Sequence, residues 1–144
     1  MSAALRQPYA QLSPRALAGL RLVKQALAEG PLDLDLLELV NLRVSQINGC
    51  AYCLGLHAAA LRERGESAAR LDALAGWHAS SLFTPRERTA LRWVESLTDV
   101  ARTHAPDQDY ADLPLHFSAA EISDLSFAVA LMNAFNRLAV GMRQ

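Results

Sequence analysis

Apolar residues recur at intervals of three and four along almost the whole chain, alanine and leucine dominate, and β-branched residues are sparse. That periodicity belongs to amphipathic helices, and no segment alternates as a half-buried strand would. The pattern predicts an all-α fold of six or seven helices. A first helix is expected in "SPRALAGLRLVKQALAEG", with Ser13 as N-cap, Pro14 at the first helical position and Gly30 as the stop. Leu17, Leu20, Val23, Ala26 and Leu27 form its apolar face. A second runs from about Asp33 through Ile47 and ends at Asn48-Gly49, a pair suited to a left-handed cap, so the third opens at Cys50 and continues to about Arg64, closed by Gly65.

Further along, "SAARLDALAG" predicts a short helix capped by Ser67 and stopped by Gly76. "TPRERTALRWVESLTDVAR" predicts a long one, opened by a capping box from Thr84 to Glu87 with Pro85 at its first position. Between Thr103 and Phe117 the sequence reads as a loop with at most one short helix. The closing helix, about 24 residues long, begins with a second capping box from Ser118 to Glu121 and is apolar nearly all round, which suits a central position or a subunit interface. No repeat, linker or low-complexity segment interrupts this pattern, so residues 1–144 read as one domain.

Charge narrows the function. Fourteen basic and fifteen acidic residues are scattered without a basic block, and the formal net charge is -1. Nucleic acid is not an expected partner, since binding it requires a concentrated cationic surface. The opening "MSAALRQPYAQLSP" has no apolar run of signal-peptide length, and no segment offers the ~20 uninterrupted apolar residues of a membrane span. A soluble, cytoplasmic protein is expected.

The chain has two cysteines, and both fall in "INGCAYCLGLH". A disulfide scaffold would disperse several cysteines through a small secreted chain, so this usage points to redox or metal chemistry in a reducing compartment. Covalent haem attachment requires a histidine directly after the second cysteine, where Leu54 stands. A structural zinc site takes four ligands, whereas the chain offers two thiols and His57 unless Glu38 or another subunit contributes. A thioredoxin fold would set CxxC behind a strand, and here it follows a helix. Residues three apart on a helix have Cα atoms about 5 Å from each other, within the roughly 4.4–6.8 Å that a disulfide accepts. Cys50 and Cys53 can therefore cycle between dithiol and disulfide with little backbone movement.

Both cysteines lie in the first turn of their helix, where free amides and the helix dipole favour a thiolate. His57 follows Cys53 by four residues and Cys50 by seven, on the same face, and is placed to take a proton from Cys53. On the preceding helix Glu38, Asn41 and Ser45 form a polar stripe. The stripe reads either as a solvated face or as the source of a carboxylate that orients His57. Asn133, Asn136 and Arg137 interrupt the last helix and read as hydrogen-bonding residues that fix packing. Trp77 and Trp93 read as core or interface anchors, His78 as a packing or surface residue, and His104 and His116 have no ligand spacing to the cysteines.

Glu38, Cys50-Ala51-Tyr52-Cys53 and His57 together read E-x11-C-x2-C-x3-H. This motif, with "LRVSQINGCAYCLGLH", Trp77 ahead of "LFTPRERTALRWVESLT" and the closing "NAFNRLAV", resembles the AhpD-like alkylhydroperoxidase branch of the carboxymuconolactone decarboxylase superfamily. The resemblance implies an all-α AhpD-like bundle associating as a homodimer, trimer or hexamer, and a thiol peroxidase that needs no cofactor. It implies Cys53 as the peroxidatic thiolate, Cys50 as the resolving thiol and Glu38 with His57 as a proton relay. Its partners would be a hydroperoxide substrate and an external dithiol or disulfide reductase. The alternative is a redox-sensing or disulfide-exchange protein of the same fold that does not sustain peroxide turnover. Well-characterised peroxidases of the family carry a histidine directly before the second cysteine. Tyr52 stands there in this chain, and a phenol titrating near pH 10 is a poor proton shuttle. A decarboxylase reading has no use for the vicinal dithiol.

Overall fold

The computed structural model describes residues 4–144. Among these residues the elements are helical throughout: α1 (Tyr9–Leu12), α2 (Pro14–Ala28), α3 (Leu34–Asn48), α4 (Ala51–Glu63), α5 (Ala68–Ala73), a 3-10 helix (Leu74–Ala79), α6 (Pro85–Thr98), α7 (Val100–Thr103), α8 (Asp107–Tyr110), α9 (Leu113–His116) and α10 (Ala119–Met142). Six of the α-helices have six residues or more, in accord with the hydrophobic periodicity.

Helices α3, α6 and α10 pack on one another, with α2 against α10 and α4 against α3. The inner faces of α3, α6 and α10 interlock through Val40, Val44, Val94, Leu125 and Val129, all essentially without solvent exposure. The other side of α3 gives Leu39 and Leu42 to a second cluster, with Leu61 of α4, Leu74, Trp77 and Leu91. Both clusters draw on α3, which is why its polar residues are left with one narrow stripe. Among the described residues α10 alone is long and apolar enough to cross a bilayer by length and composition; one face packs on α2, α3 and α6, while Phe127 and Val140 stay exposed.

The capping boxes form as the sequence predicts. Thr84 Oγ1 accepts from the Glu87 amide while Glu87 returns a bond to the Thr84 amide, and Ser118 and Glu121 do the same for α10. Other details differ from the expectation or refine it. Ser13 precedes Pro14 but makes no side-chain cap, because it also closes α1 through its own amide to Tyr9 O. The stop expected at Gly30 is found, since α2 ends at Ala28 with Glu29 as its C-cap, but Gly30 keeps a negative φ and a Cβ there would collide with Asp124 of α10, so it permits a close approach and makes no left-handed turn. Gly76 breaks the helical path with φ -107° and ψ 25°, and beyond it the chain turns on to Ala79 and buries Trp77. The expected loop between residues 103 and 117 holds two single-turn helices, α8 and α9, because Leu113 and Phe117 are drawn into the core and order the turns between them.

Candidate active site

The site begins where α3 stops. Gly49 takes φ 67° and ψ 36°, the left-handed conformation that glycine adopts without strain, and the Cys50 amide returns to Ser45 O at 3.1 Å. The chain therefore reverses within one residue and enters α4. Cys50 becomes the N-cap of α4, one position outside the helix that the sequence predicts it to open, and its Sγ accepts from the Cys53 amide at 3.3 Å. The two sulfurs form a disulfide across a Cα–Cα separation of 5.2 Å, matching the spacing expected for the first turn of a helix. Both residues are buried, packed with Ala139 of α10, at the end of α4 where the dipole favours negative charge.

One turn further along α4, His57 is only 4% exposed. Its Nδ1 lies 2.7 Å from Glu38 Oε2 on the neighbouring α3. With Nδ1 donating to that carboxylate, Nε2 carries the ring's lone pair and is the nitrogen able to accept a proton. Among the described residues Glu38 has no other hydrogen-bond donor, and one of its oxygens stays free. The stripe on α3 thus divides: Glu38 turns to His57, Asn41 lines the adjoining cleft, and Ser45 is fully buried.

Ser45 belongs to a polar clasp that holds the α3–α4 corner to α10. Asn136 Nδ2 donates to Ser45 Oγ at 3.1 Å, and Asn48 Nδ2 donates to Asn133 Oδ1 and Asn136 Oδ1 at 2.9 and 3.0 Å. Asn133 also accepts from Arg137 at 2.8 Å. The packing role expected of the α10 polar residues is what the structure gives Asn133 and Asn136, while exposed Arg137 bonds only within its own helix, to Asn133.

Glu38, Cys53 and His57 line one cleft of about 420 Å3 between the N-terminal segment, α2, α3, α4 and α10. Cys50 does not line it. The walls are apolar, from Leu17, Leu37, Leu56, Leu131 and Phe135, while Tyr9, Arg21, Lys24 and Tyr52 bring polar groups to its exposed side. Residues 5–9 close one end and are tied to the C-terminus by Arg6 N to Met142 O at 2.8 Å and by the Tyr9 hydroxyl to Gln144. Burial and the nearby Tyr52 phenol push the Tyr9 hydroxyl above its usual value against the pull of Arg21, so it stays a neutral hydrogen-bonding group in neutral solution.

Sequence reasoning did not find Tyr9, Arg21 and Lys24. The signal available was a pair of cations three residues apart on α2, which any solvated helix face also shows.

A second histidine–glutamate pair lies elsewhere. His78 Nε2 is 2.8 Å from Glu95 Oε2, Trp77 Nε1 donates to Glu95 Oε1 at 2.7 Å, and Arg43 adds a bond at 2.9 Å. Burial pushes the Glu95 carboxyl upward, but these donors outweigh it and hold the group below its ordinary value. His78 is stacked on Trp77 and stays largely exposed, and neither it nor Glu95 lines the cleft. Among the described residues no group of three or more His, Cys, Asp or Glu side chains is arranged to hold a metal ion.

Residues 13–96 match the model of the carboxymuconolactone decarboxylase family. The uncharacterised protein YdfG of Bacillus subtilis (strain 168) is 27% identical over 137 residues, covering 95% of this chain and 93% of its own. A crystal structure of ATU0492 from Agrobacterium tumefaciens, described as of unknown function and provisionally as the antioxidant defence protein AhpD, superposes with a TM-score of 0.94 at 35% identity, covering 98% of this chain and 97% of that one. The alkylhydroperoxidase AhpD core structure of an uncharacterised peroxidase-related protein from Ralstonia eutropha JMP134 gives 0.80 at 24% identity over 93% of this chain and 73% of that one, a likeness of fold alone.

Proposed function

The chain belongs to the carboxymuconolactone decarboxylase family with an AhpD-like fold, and from that premise we propose that it is a thiol-dependent hydroperoxide reductase with an antioxidant role. The observation that carries the reading is the Cys50–Cys53 disulfide at the base of a cleft that Cys53, His57 and Glu38 line together. In the reduced protein His57 Nε2 takes the Cys53 proton, and the thiolate attacks the terminal peroxide oxygen. The O–O bond breaks, the alkoxide leaves as alcohol with the proton from His57, and Cys53 is left as a sulfenic acid. The Cys50 thiol then attacks the Cys53 sulfur, expelling water and forming the disulfide. An external dithiol reduces that bridge by exchange, returning both thiols and leaving oxidised as its own disulfide. Glu38 orients the imidazole and stabilises its charged form. Cys53 as nucleophile is supported by its place in the cleft wall, with Cys50 behind it.

The test is peroxide consumption by purified, reduced protein with excess dithiothreitol, hydrogen peroxide and an organic hydroperoxide being supplied in parallel. Native protein should turn over continuously. Cys53→Ser should fall to background, a loss of at least about a thousandfold, as expected when a covalent nucleophile is removed. Full turnover by that variant would sink the reading.

One observation favours a second reading, a redox sensor or disulfide carrier: Tyr52, half-exposed in the cleft wall, directly precedes Cys53 where the resemblance expects a histidine. A sensor consumes about one equivalent of peroxide and then stops, with dithiol present. The proposal includes a cytoplasmic setting, where a reducing pool of thiols can return the bridge to dithiol. It also includes a homo-oligomer, for which exposed Phe127 and Val140 on α10 supply apolar surface, and light scattering would report its mass.

A further inference from the structure

The cleft beside Cys53 is more than an access route for a small peroxide. At about 420 Å3 it falls within the roughly 300–1,000 Å3 typical of sites for small organic ligands. Its charges are lopsided. Arg21 and Lys24, three residues apart on α2, present two cations, and neither has an ion-pair or hydrogen-bond partner among the described residues. The other ionisable side chains on its wall are Tyr9, Tyr52, His57, Glu38 and, in the reduced protein, Cys53, and Glu38, the one side-chain carboxylate, is bonded to His57. Three half-buried arginines elsewhere are neutralised within the fold, Arg43 by Glu95, Arg70 by Glu66 and Glu87, Arg86 by Glu121. Arg15, Arg62 and Arg92 on the surface resemble Arg21 in making no ion pair among the described residues, so it is the position of Arg21 and Lys24 on the cleft that sets them apart. An apolar cavity with a reactive sulfur in its wall and two unpaired cations on its exposed side matches a molecule with an apolar body and one anionic end.

We propose that the cleft binds amphipathic organic carboxylates, and that the preferred substrates are hydroperoxides of this class, with the carboxylate at Arg21 and Lys24 and the peroxide group at Cys53. The hydrocarbon lies against Leu17, Leu37, Leu131 and Phe135, and Tyr9 and Tyr52 flank the charged end. The choice of substrate rests on the hydroperoxide-reductase reading; binding of the carboxylate does not.

Two measurements keep the two claims apart. First, kcat/KM is compared for a fatty-acid hydroperoxide and its methyl ester, which differ in the charge and one methyl group. The acid should be favoured, and the ratio should fall about tenfold, towards one, in the double variant Arg21→Gln/Lys24→Gln, the size expected for two partly solvated ion pairs. Raising the salt on native protein should erode the ratio too, so the test survives a variant that fails to fold. Equal kcat/KM for acid and ester in the native protein, or a ratio indifferent to both salt and the double substitution, overturns the proposal. Second, octanoate and octanol are titrated calorimetrically into the protein. Tighter binding of octanoate, weakened about tenfold by the double substitution, supports the site even if no peroxide is turned over, in which case the reductase reading alone fails. Octanoate binding no tighter than octanol overturns it.

Discussion

Two corners of the molecule pair a histidine with a glutamate at nearly the same distance, 2.7 Å for His57–Glu38 and 2.8 Å for His78–Glu95, yet only one has the surroundings of a reactive site. His57 is buried beside the CxxC turn and faces a cleft; His78 is 60% exposed by side chain and lies on the indole of Trp77. The carboxylates differ more. Glu38 has His57 as its one bonded partner among the described residues and keeps one oxygen free, whereas Glu95 is saturated by Arg43, Trp77 and His78. A carboxylate held by three donors ties α3, α6 and the 3-10 turn together and has no freedom to move charge during a reaction. The pair alone therefore does not distinguish the two corners; the neighbouring sulfur and the unfilled hydrogen-bond capacity do.

The largest separation between the corners is expected from the histidines. His57→Ala should lower kcat/KM for peroxide by about 10²–10⁴, the usual contribution of a positioned acid–base group. Glu38→Gln should cost roughly tenfold to a hundredfold, because it leaves the ring in place and removes the charge that supports the imidazolium. A shifted acid limb in the pH–rate profile of that variant would separate lost basicity from lost packing.

Glu95→Gln should act on stability, lowering it by about 1–3 kcal/mol in chemical denaturation while kcat/KM stays within about twofold of native. The sign of its pH dependence follows from the lowered carboxyl. Folding stability from the ionised Glu95 is fully present above the ordinary value of 4.5 and is lost as pH falls through the lower folded-state value. The gap between native protein and variant should thus be widest near neutrality and close in acid below about 4.5. His78→Ala should do least, less than about 0.5 kcal/mol, with peroxide turnover unchanged, since an exposed ion pair contributes little. A large loss of turnover from His78→Ala would erase the contrast between the corners.

Some features were legible because their causes are local. The capping boxes at Thr84 and Ser118, the left-handed Gly49 and the helical spacing of Cys53 and His57 each depend on a few consecutive residues, and each is found as expected, with Cys50 one position further out as the N-cap. What local rules missed has the opposite character. Gly30 and Gly76 look alike as helix stops, and the helical path does break at each, but Gly30 also accommodates Asp124 of α10, and beyond Gly76 the chain turns on to bury Trp77. The contact with Asp124, far along the sequence, lies outside the reach of local rules.

The sequence by itself determined an all-helical chain with a vicinal dithiol at the start of a helix and a histidine one turn beyond, because helix periodicity and capping act over a few residues. It also named Glu38 as the candidate partner for His57, leaving open whether its stripe faced solvent. Tertiary structure decided that. Glu38 and His57 are separated by 19 residues and His78 and Glu95 by 17, so spacing gives no ground for treating them differently. Which faces of α2, α3, α4 and α10 meet is fixed by the burial of apolar surface over the whole molecule. That burial joins Glu38, Cys53 and His57 to one cleft, leaves Arg21 and Lys24 beside it without partners among the described residues, and ties Glu95 into a structural knot.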